Sequence, residues 1–190
     1  MDFREATADD VPQLTAMIRA RGEWMTARNI RGGEGWSRRA DSLARQAADP
    51  TFPVWVLVDG NRVVGCTSFY DAVPAWLWTD EADRAEPSIF LATSVTDPDY
   101  AGRRLACLMA WSALDLADRR GQKWVRRGTG PDPGLVRYYS EVQRFDLVRT
   151  GDFHGDTGYG LQRRAARQPH LAEWLAAGAV PAGAMPAGPG

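Results

Sequence analysis

A glycine followed by two arginines, just before a predicted helix, is the group of residues best suited to chemistry. It lies in residues 95–106 (VTDPDYAGRRLA), between a run that predicts a strand (88–96) and one that predicts a helix (103–120). The start of a helix offers unpaired N–H groups and the positive end of its dipole, so this turn could bind a pyrophosphate. Arg103 and Arg104 would add charge at the rim. The alternative is an ordinary strand–helix turn with two solvated arginines.

Hydrophobic spacing and turn residues predict an α/β fold that positions this turn. The predicted strands are 2–6, 53–58, 62–70, 88–96, 123–129, 145–150 and 158–164. The predicted helices are 11–24, 37–48, 103–120, a short one within 131–142, and 170–176, with loops at 31–36 and 71–87. The central strand–helix–strand unit implies parallel neighbouring strands with a ligand crevice at their carboxyl ends.

Composition excludes several classes of protein. The chain has 190 residues and a formal net charge of −1, and 22 of its 23 basic residues are arginine. Because acidic residues balance the arginines, we do not expect a nucleic-acid binder. The two cysteines and two histidines show no metal-binding spacing, so no metal site is expected. No apolar run approaches the roughly 18 residues needed to span a membrane, and we expect a cytoplasmic protein with reduced thiols.

One domain with a short extension is the expected organisation. The domain is predicted over 1–165, a short C-terminal helix within 166–177 and a disordered tail over 178–190, because an Ala/Gly/Pro-rich segment cannot bury a core. The sequence contains no internal repeat. A homodimer is suggested only by the general frequency of homodimers among soluble proteins.

The turn and the order of the elements around it resemble the GNAT superfamily of N-acyltransferases over residues 2–164. That superfamily has Val-x-Pro-x-x-(Gln/Arg)-Gly-x-Gly-x-(Gly/Ala) at this place. The residues that fit are Pro98, Gly102, Arg103, Leu105 and Ala106. Ala101 replaces the usual Gln or Arg, and Arg104 replaces the central glycine. The resemblance implies a mixed, mostly antiparallel central sheet with a parallel, splayed strand pair, flanked by helices.

The same resemblance implies a donor site for acetyl-CoA or another acyl-CoA. In the superfamily the strand before the turn hydrogen-bonds the pantetheine arm, and the central glycine lets the backbone approach the pyrophosphate. The expected donor-binding residues are Ser94, Val95, Thr96, Gly102, Arg103, Arg104, Leu105 and Ala106. Arg104 either supplies a side-chain contact in place of the glycine, or marks a loop that holds its ligand differently or not at all.

A tyrosine is the implied catalytic acid. Residues 135–145 (LVRYYSEVQRF) resemble the superfamily's helix with Tyr-x-x-Leu-Gly-Phe. Matching Val142 to the leucine aligns Tyr139 with the tyrosine and leaves one extra residue before Phe145; Tyr138 is the fallback. The implied role is to return a proton to the departing thiolate. The alternative is a helix tyrosine packed under the sheet.

For the acceptor side of the site, the resemblance gives positions in the fold but no sequence motif. Aromatic residues and one arginine stand where the superfamily binds its acceptor: Trp24, Trp36, Tyr70, Trp76, Trp78 and Arg126. They suggest a bulky or flat small-molecule amine. Arg126 and Arg127 alternate along one strand, so either one faces the cleft, or one pairs with acidic neighbours while the other is solvated. The general base is unassigned; the candidates are Glu81, Asp83, Glu86 and His154.

The function predicted from the sequence is therefore acetyl transfer from acetyl-CoA to the amine of a small molecule, without a metal. One alternative keeps the fold but takes its acyl group from another thioester, such as one bound to an acyl carrier protein. A second is a non-catalytic module that binds a thioester or a partner.

Overall fold

A computed structural model describes residues 1–188 as a seven-stranded sheet with six α-helices. The strands are β1 (Asp2–Glu5), β2 (Val54–Asp59), β3 (Arg62–Tyr70), β4 (Ser88–Thr96), β5 (Trp124–Thr129), β6 (Asp146–Phe153) and β7 (Asp156–Arg164). The helices are α1 (Val11–Thr26), α2 (Gly33–Arg45), α3 (Glu81–Ala85), α4 (Leu105–Arg119), α5 (Pro133–Arg137) and α6 (Leu171–Ala177). None of these helices is long and apolar enough to cross a bilayer.

The sheet is mixed, with strand order β1-β2-β3-β4-β5-β7-β6. The pairs β1–β2, β2–β3, β5–β7 and β6–β7 are antiparallel. β4 and β5 run parallel, with Ser88–Leu91 opposite Trp124–Arg127. Further along β4, Thr93 has a φ of 51°, a left-handed conformation that a β-branched residue rarely adopts. A mostly antiparallel sheet with a parallel pair and flanking helices confirms the predicted fold class.

The described residues form two compact units. Unit 1 contains Met1–Ser68, Thr93–Met109 and Ala172–Val180, and unit 2 contains Phe69–Ala92, Ala110–Leu171 and the residues from Pro181 onward. The predicted division into a domain, a helix and a tail stays a prediction.

Helices α1 and α2 form one side of the unit 1 core. Their buried residues pack with the inner faces of β2 and β3 and with one residue of β4; the apolar set includes Leu14, Ile18, Ala40, Ala44, Val56, Val63 and Val95. The helices approach closely at Gly22 and Gly33, where a Cβ on either glycine would lie 2.7 Å from the carbonyl oxygen of the other. Only hydrogen side chains allow this contact.

The start of α2 differs from the prediction. The sequence predicts a loop over 31–36 and a helix from Ser37, whereas α2 begins at Gly33. Gly32, with a φ of 96°, ends the connecting turn, and the close packing of Gly33 on α1 holds the first turn of α2 in place. Gly32 and Gly33, which locally favour a loop, therefore have different roles here: Gly32 allows the turn and Gly33 allows α2 to pack closely on α1.

Two further segments are more regular than predicted. The loop 71–87 contains α3, whose start is capped by Asp80, since the Asp80 carboxylate accepts a hydrogen bond from Ala82 N–H at 2.8 Å. β6 and β7 form one long hairpin closed at His154 and Gly155, with φ values of 53° and 84°. Positive φ at both central residues is typical of the type I′ turn that suits a twisted hairpin.

The described part of the predicted tail makes backbone hydrogen bonds. In unit 1, the N–H of Val180 donates to the carbonyl of Arg103 at 3.2 Å. In unit 2, the N–H of Ala187 donates to Oε1 of the buried Gln168 at 2.9 Å. Residues 189–190 lie outside the described residues.

Candidate functional site

The turn after β4 is fixed to the sheet by Asp97. The N–H of Asp97 donates to the carbonyl of Val64 in β3 at 2.9 Å. Its buried carboxylate accepts hydrogen bonds from the N–H of Asp99 at 2.9 Å and from Arg62 at 2.7 Å. The position where β4 ends and the turn begins is therefore set by main-chain and side-chain bonds together.

The backbone of the turn is left-handed at two residues. Gly102 has a φ of 88° and Arg104 a φ of 57°. The carbonyl of Arg104 then accepts hydrogen bonds from the N–H groups of Cys107 at 2.8 Å and Leu108 at 3.3 Å, which begins α4. A left-handed conformation costs a residue with a Cβ about 1–2 kcal/mol. Arg104 thus replaces a glycine and keeps the conformation that favours glycine.

Arg103 lies at the rim of the turn. Its guanidinium carbon is 4.8 Å from the ring centre of Tyr100, and its Nη1 is 3.8 Å from a carboxylate oxygen of Asp59. The Tyr100 hydroxyl donates to Asp59 at 3.0 Å, and burial together with this carboxylate raises the pKa of Tyr100. Half of the Arg103 side chain stays exposed (52%), so it remains accessible to an anion.

The end of β4 is anchored to β3 through side chains. The hydroxyls of Ser94 and Thr67 lie 2.9 Å apart, and Val95 is buried in the unit 1 core. Cys66 is also buried there, and burial raises the pKa of its thiol to about 12. The thiol therefore stays protonated at neutral pH and is unsuited to act as a nucleophile.

In unit 2, Tyr139 lies in a π-helix, Tyr138–Val142, which continues α5. Each hydrogen bond of a π-helix spans one residue more than in an α-helix. Arg144, directly before Phe145, has a φ of 60°. Arg104 and Arg144 therefore share a left-handed backbone conformation.

Tyr139 is buried, with 8% of its surface exposed. The guanidinium carbon of Arg127 lies 3.3 Å from the centre of its ring. Among residues 1–188 the Tyr139 hydroxyl has no hydrogen-bond partner, and it is not one of the polar atoms sealed from solvent. Tyr138, the fallback, is half-buried, with its ring centre 6.0 Å from that of Tyr139.

Comparison with known proteins gives the fold a name. No protein-family profile matches the sequence, and no curated protein matches it. Solved structures do match. A GNAT-family acetyltransferase from Streptococcus agalactiae aligns with a TM-score of 0.67 at 10% identity, over 87% of this chain and 96% of that chain. One from Listeria monocytogenes aligns with a TM-score of 0.65 at 13% identity, over 86% and 94%. This chain has the GNAT fold.

A third match to the GNAT fold comes from a structure with a bound ligand. The PaiA N-acetyltransferase from Thermoplasma acidophilum, in complex with coenzyme A, aligns with a TM-score of 0.62 at 12% identity, over 86% of this chain and 98% of that chain. At such identity the likeness shows the fold, and the roles of individual residues have to be argued from this chain.

Arg126 and Arg127, which strand alternation predicts to face opposite sides, are both buried. The alternative in which one of them is solvated is therefore wrong. Arg126 donates to Glu86 at 2.8 Å, to the carbonyl of Asp83 at 2.6 Å and to Gln162 at 3.3 Å. Burial lowers the pKa of Arg126, although the nearby carboxylates oppose this. A fully enclosed arginine with these partners anchors the loop before β4.

Two of the candidate bases are engaged in the same network. Glu86 accepts hydrogen bonds from Lys123, from Trp124 Nε1 at 2.9 Å and from Arg126, and the bond from Lys123 contributes most to lowering its pKa. Asp83 is paired with Arg149. Glu81 is exposed on α3, and His154 is exposed at the β6–β7 turn, where its ring packs on Phe153. We therefore assign no general base.

The aromatic residues expected on the acceptor side have different environments. Trp24 lies between the guanidinium groups of Arg21 and Arg28, at 4.5 and 4.2 Å from its ring. Trp76 is 39% exposed and its ring is 5.3 Å from that of Phe153. Trp78 is fully buried, with its ring edge-on to Phe90, and so belongs to the unit 2 core.

The remaining acceptor candidates are half-buried. Trp36 packs against the unit 1 core with Arg39 over its ring at 5.6 Å, and Tyr70 ends β3. Among residues 1–188 no group of three or more His, Cys, Asp or Glu side chains is arranged to hold a metal ion.

Sequence reasoning did not predict that Arg127 contacts the tyrosine region, and it did not single out Gln143. The Arg127 guanidinium donates to the side-chain oxygen of Gln143, the residue directly after the π-helix of Tyr139. These residues are 16 positions apart in the sequence and meet in folded unit 2. Their spacing in the sequence carries no signal of the contact.

Proposed function

We propose that this protein transfers an acyl group, in the simplest case acetyl, from a coenzyme A thioester to the amine of a small molecule. The amine nitrogen attacks the thioester carbonyl carbon, and the carbon–sulfur bond breaks as the tetrahedral intermediate collapses. The amine loses one proton and the departing thiolate gains one. The products are an amide and free coenzyme A, so atoms and charge balance.

The observation that carries this proposal is the backbone of the turn at Gly102 and Arg104. Both residues are left-handed, at φ 88° and 57°, immediately before the N-terminus of α4. Strained conformations of this kind persist where the surrounding structure fixes them, and they cluster at ligand sites. Arg104 adopts this left-handed conformation although glycine would adopt it with less steric strain. A strained residue at the N-terminus of a helix, where an anion can bind, supports a pyrophosphate ligand.

Donor binding is assigned to one stretch of unit 1. Ser94, Val95 and Thr96 are the proposed contacts of the pantetheine arm, with backbone N–H groups polarising the thioester carbonyl. Gly102, Arg103, Arg104, Leu105 and Ala106 are the proposed pyrophosphate contacts. Arg103 is well suited to this role because its guanidinium is half-exposed and oriented by Tyr100 and Asp59.

Tyr139 is the proposed acid that protonates the leaving thiolate. Its ring is held in place while its hydroxyl has no partner among the described residues, which leaves the O–H available to a substrate atom. On the acceptor side, Trp24 and Trp76 are the best candidates, since Trp78 and Arg126 are enclosed in unit 2.

Calorimetry and thermal shift with acetyl-CoA, longer acyl-CoAs and free CoA test this function. We expect acetyl-CoA to bind and to raise the melting temperature, because a ligand that binds only the native state stabilises it. Release of the CoA thiol in the presence of a panel of small amines then measures turnover.

Each other outcome points to a named alternative. Absence of binding to every CoA species contradicts the proposal and favours a carrier-protein thioester as donor. Binding without turnover for any amine favours a non-catalytic thioester-binding module. Turnover that is unchanged in a Tyr139→Phe variant removes Tyr139 from the mechanism but leaves the transferase function in place.

A further inference from the structure

The ring of Tyr139 is covered by a buried guanidinium. The Arg127 side chain extends from β5, and its Cζ lies 3.3 Å from the ring centre of Tyr139, which places the charge directly over the ring face. Arg127 is 4% exposed and Tyr139 8%. Phe145 bounds the same guanidinium from another side, at 5.5 Å from its ring centre. A guanidinium over a ring face is attracted by the negative face of the ring, and the attraction is stronger where both groups are shielded from water.

The same guanidinium is tied to the π-helix by a hydrogen bond. Arg127 Nη1 donates to the side-chain oxygen of Gln143, the residue that ends the π-helix and is completely buried. Arg163 of β7 supports this end by donating to the carbonyls of Arg144 at 2.8 Å and Gln143 at 3.4 Å. Because β5 and β7 are paired, with Arg127 opposite Leu161, both arginines extend from a rigid base.

A π-helix needs such support. A π-helix is rare, and single turns of it are frequently found at functional sites. Here two adjacent tyrosines compete for one role, and a shift of the helix by one residue would exchange Tyr139 for Tyr138. The stack and the hydrogen bond both stabilise the observed register. The stack holds Tyr139, the second residue of the π-helix, and the hydrogen bond holds Gln143, the residue directly after it.

We propose that Arg127 is a positioning residue for catalysis: it holds the ring of Tyr139 so that the Tyr139 hydroxyl, rather than that of Tyr138, is presented to the leaving thiolate. The inference rests on the proposed function, in which Tyr139 is the acid. Arg127 acts through Tyr139 and through the register of the π-helix, and it takes no part in proton transfer itself.

A double-mutant cycle tests this role. Arg127→Met keeps an unbranched apolar stem and removes the guanidinium, and with it both the stack and the hydrogen bond. We expect kcat to fall between about tenfold and 100-fold, the loss typical of a misplaced catalytic group, with KM for acetyl-CoA within about twofold of the parent value. In a Tyr139→Phe background the same change should cost less than about twofold, because no hydroxyl is left to misplace.

Arg126→Met is the matched control, since it removes a buried arginine from the neighbouring position of β5 that does not contact Tyr139. Its effect on kcat should be the same with and without Tyr139→Phe. Arg127→Lys, which keeps the charge, serves if Arg127→Met fails to fold in a thermal melt; it should show the same non-additivity with a smaller loss.

Three results would overturn the inference alone, and a fourth would overturn the proposed function as well. Equal effects of Arg127→Met or Arg127→Lys in both backgrounds would make Arg127 a stability residue only, and a matching rise in KM would place it in substrate binding. Loss of all turnover in the parent protein, with every donor and amine, overturns the proposed function and this role with it. A parent that turns over while Tyr139→Phe is unaffected overturns the role alone.

Discussion

Two arginines have the left-handed backbone that glycine adopts most easily. Arg104, which replaces the central glycine of the turn motif, has a φ of 57°, and Arg144, directly before Phe145, has a φ of 60°. Each arginine bears a steric cost of about 1–2 kcal/mol that glycine would avoid. At Arg104 the hydrogen bonds of Asp97 before the turn and of Cys107 after it hold this conformation. Residue identity is therefore a poor guide to backbone conformation at these two places.

Arg104→Gly is the test of this cost. The free energy of unfolding should rise by about 0.5–1 kcal/mol, because relief of the left-handed strain exceeds the entropic cost of a glycine. The affinity for CoA should change by more than the few tenths of a kcal/mol typical of a surface site. Denaturant unfolding and calorimetry measure the two quantities.

Arg104→Ala is its matched control, since it removes the guanidinium and keeps the strain. Its free energy of unfolding should not rise. Equal stability of Arg104→Ala and Arg104→Gly would contradict the prediction that left-handed strain at Arg104 lowers the stability of the protein.

At the level of elements, the junction of α1 and α2 depends on two glycines. Gly22 and Gly33 bring the helix backbones into contact, with Thr26 Oγ1 donating to the carbonyl of Gly22 at 3.0 Å. A Cβ at either position would meet a backbone oxygen at 2.7 Å, which cannot move without shifting a helix. The acceptor candidates Trp24 and Trp36 lie next to this contact in the sequence, one on each helix, so their spacing depends on it.

Gly22→Ala and Gly33→Ala should each lower the free energy of unfolding by about 1–3 kcal/mol, the cost of overpacking a close contact. Gly35→Ala is the control on the same helix, because a Cβ there would meet nothing within 4 Å. Alanine is the better helix former, so that change should raise stability by about 0.5–1 kcal/mol. Urea titrations compare the three variants; equal destabilisation by all of them would contradict the close-contact explanation.

At the level of the whole molecule, the arginine excess is partly internal. Arg126 and Arg127 are 0% and 4% exposed, and each is matched to polar or aromatic partners inside unit 2. Because Glu86 is the carboxylate that faces Arg126, the stability of the protein in acid should depend on it. Its pKa is lowered in the folded state, so its contribution is present above the unfolded value of about 4.3 and is lost as pH falls through the folded value.

Glu86→Gln should lower the free energy of unfolding by about 2–3 kcal/mol at pH 7, because the buried guanidinium of Arg126 loses the carboxylate that it hydrogen-bonds. The loss relative to the parent should shrink as pH falls below about 4, where the parent also loses the charge. Melting curves of both proteins, recorded from about pH 3 to about pH 7 in steps of about one pH unit, measure this difference in stability. Parallel curves for the two proteins would show that Glu86 does not control acid stability.

The sequence by itself determined the order of the elements, the bounds of β3 and β4, the turn with Gly102 and Arg104, and through its motifs the GNAT fold. These follow from local patterns, since strand alternation, helix spacing and turn residues act over a few positions. The tertiary structure alone decided that α2 begins at Gly33, that Arg126 and Arg127 are both buried, and that Arg127 covers Tyr139. Those outcomes depend on backbones and side chains from distant segments meeting at close range, and no local pattern encodes that contact.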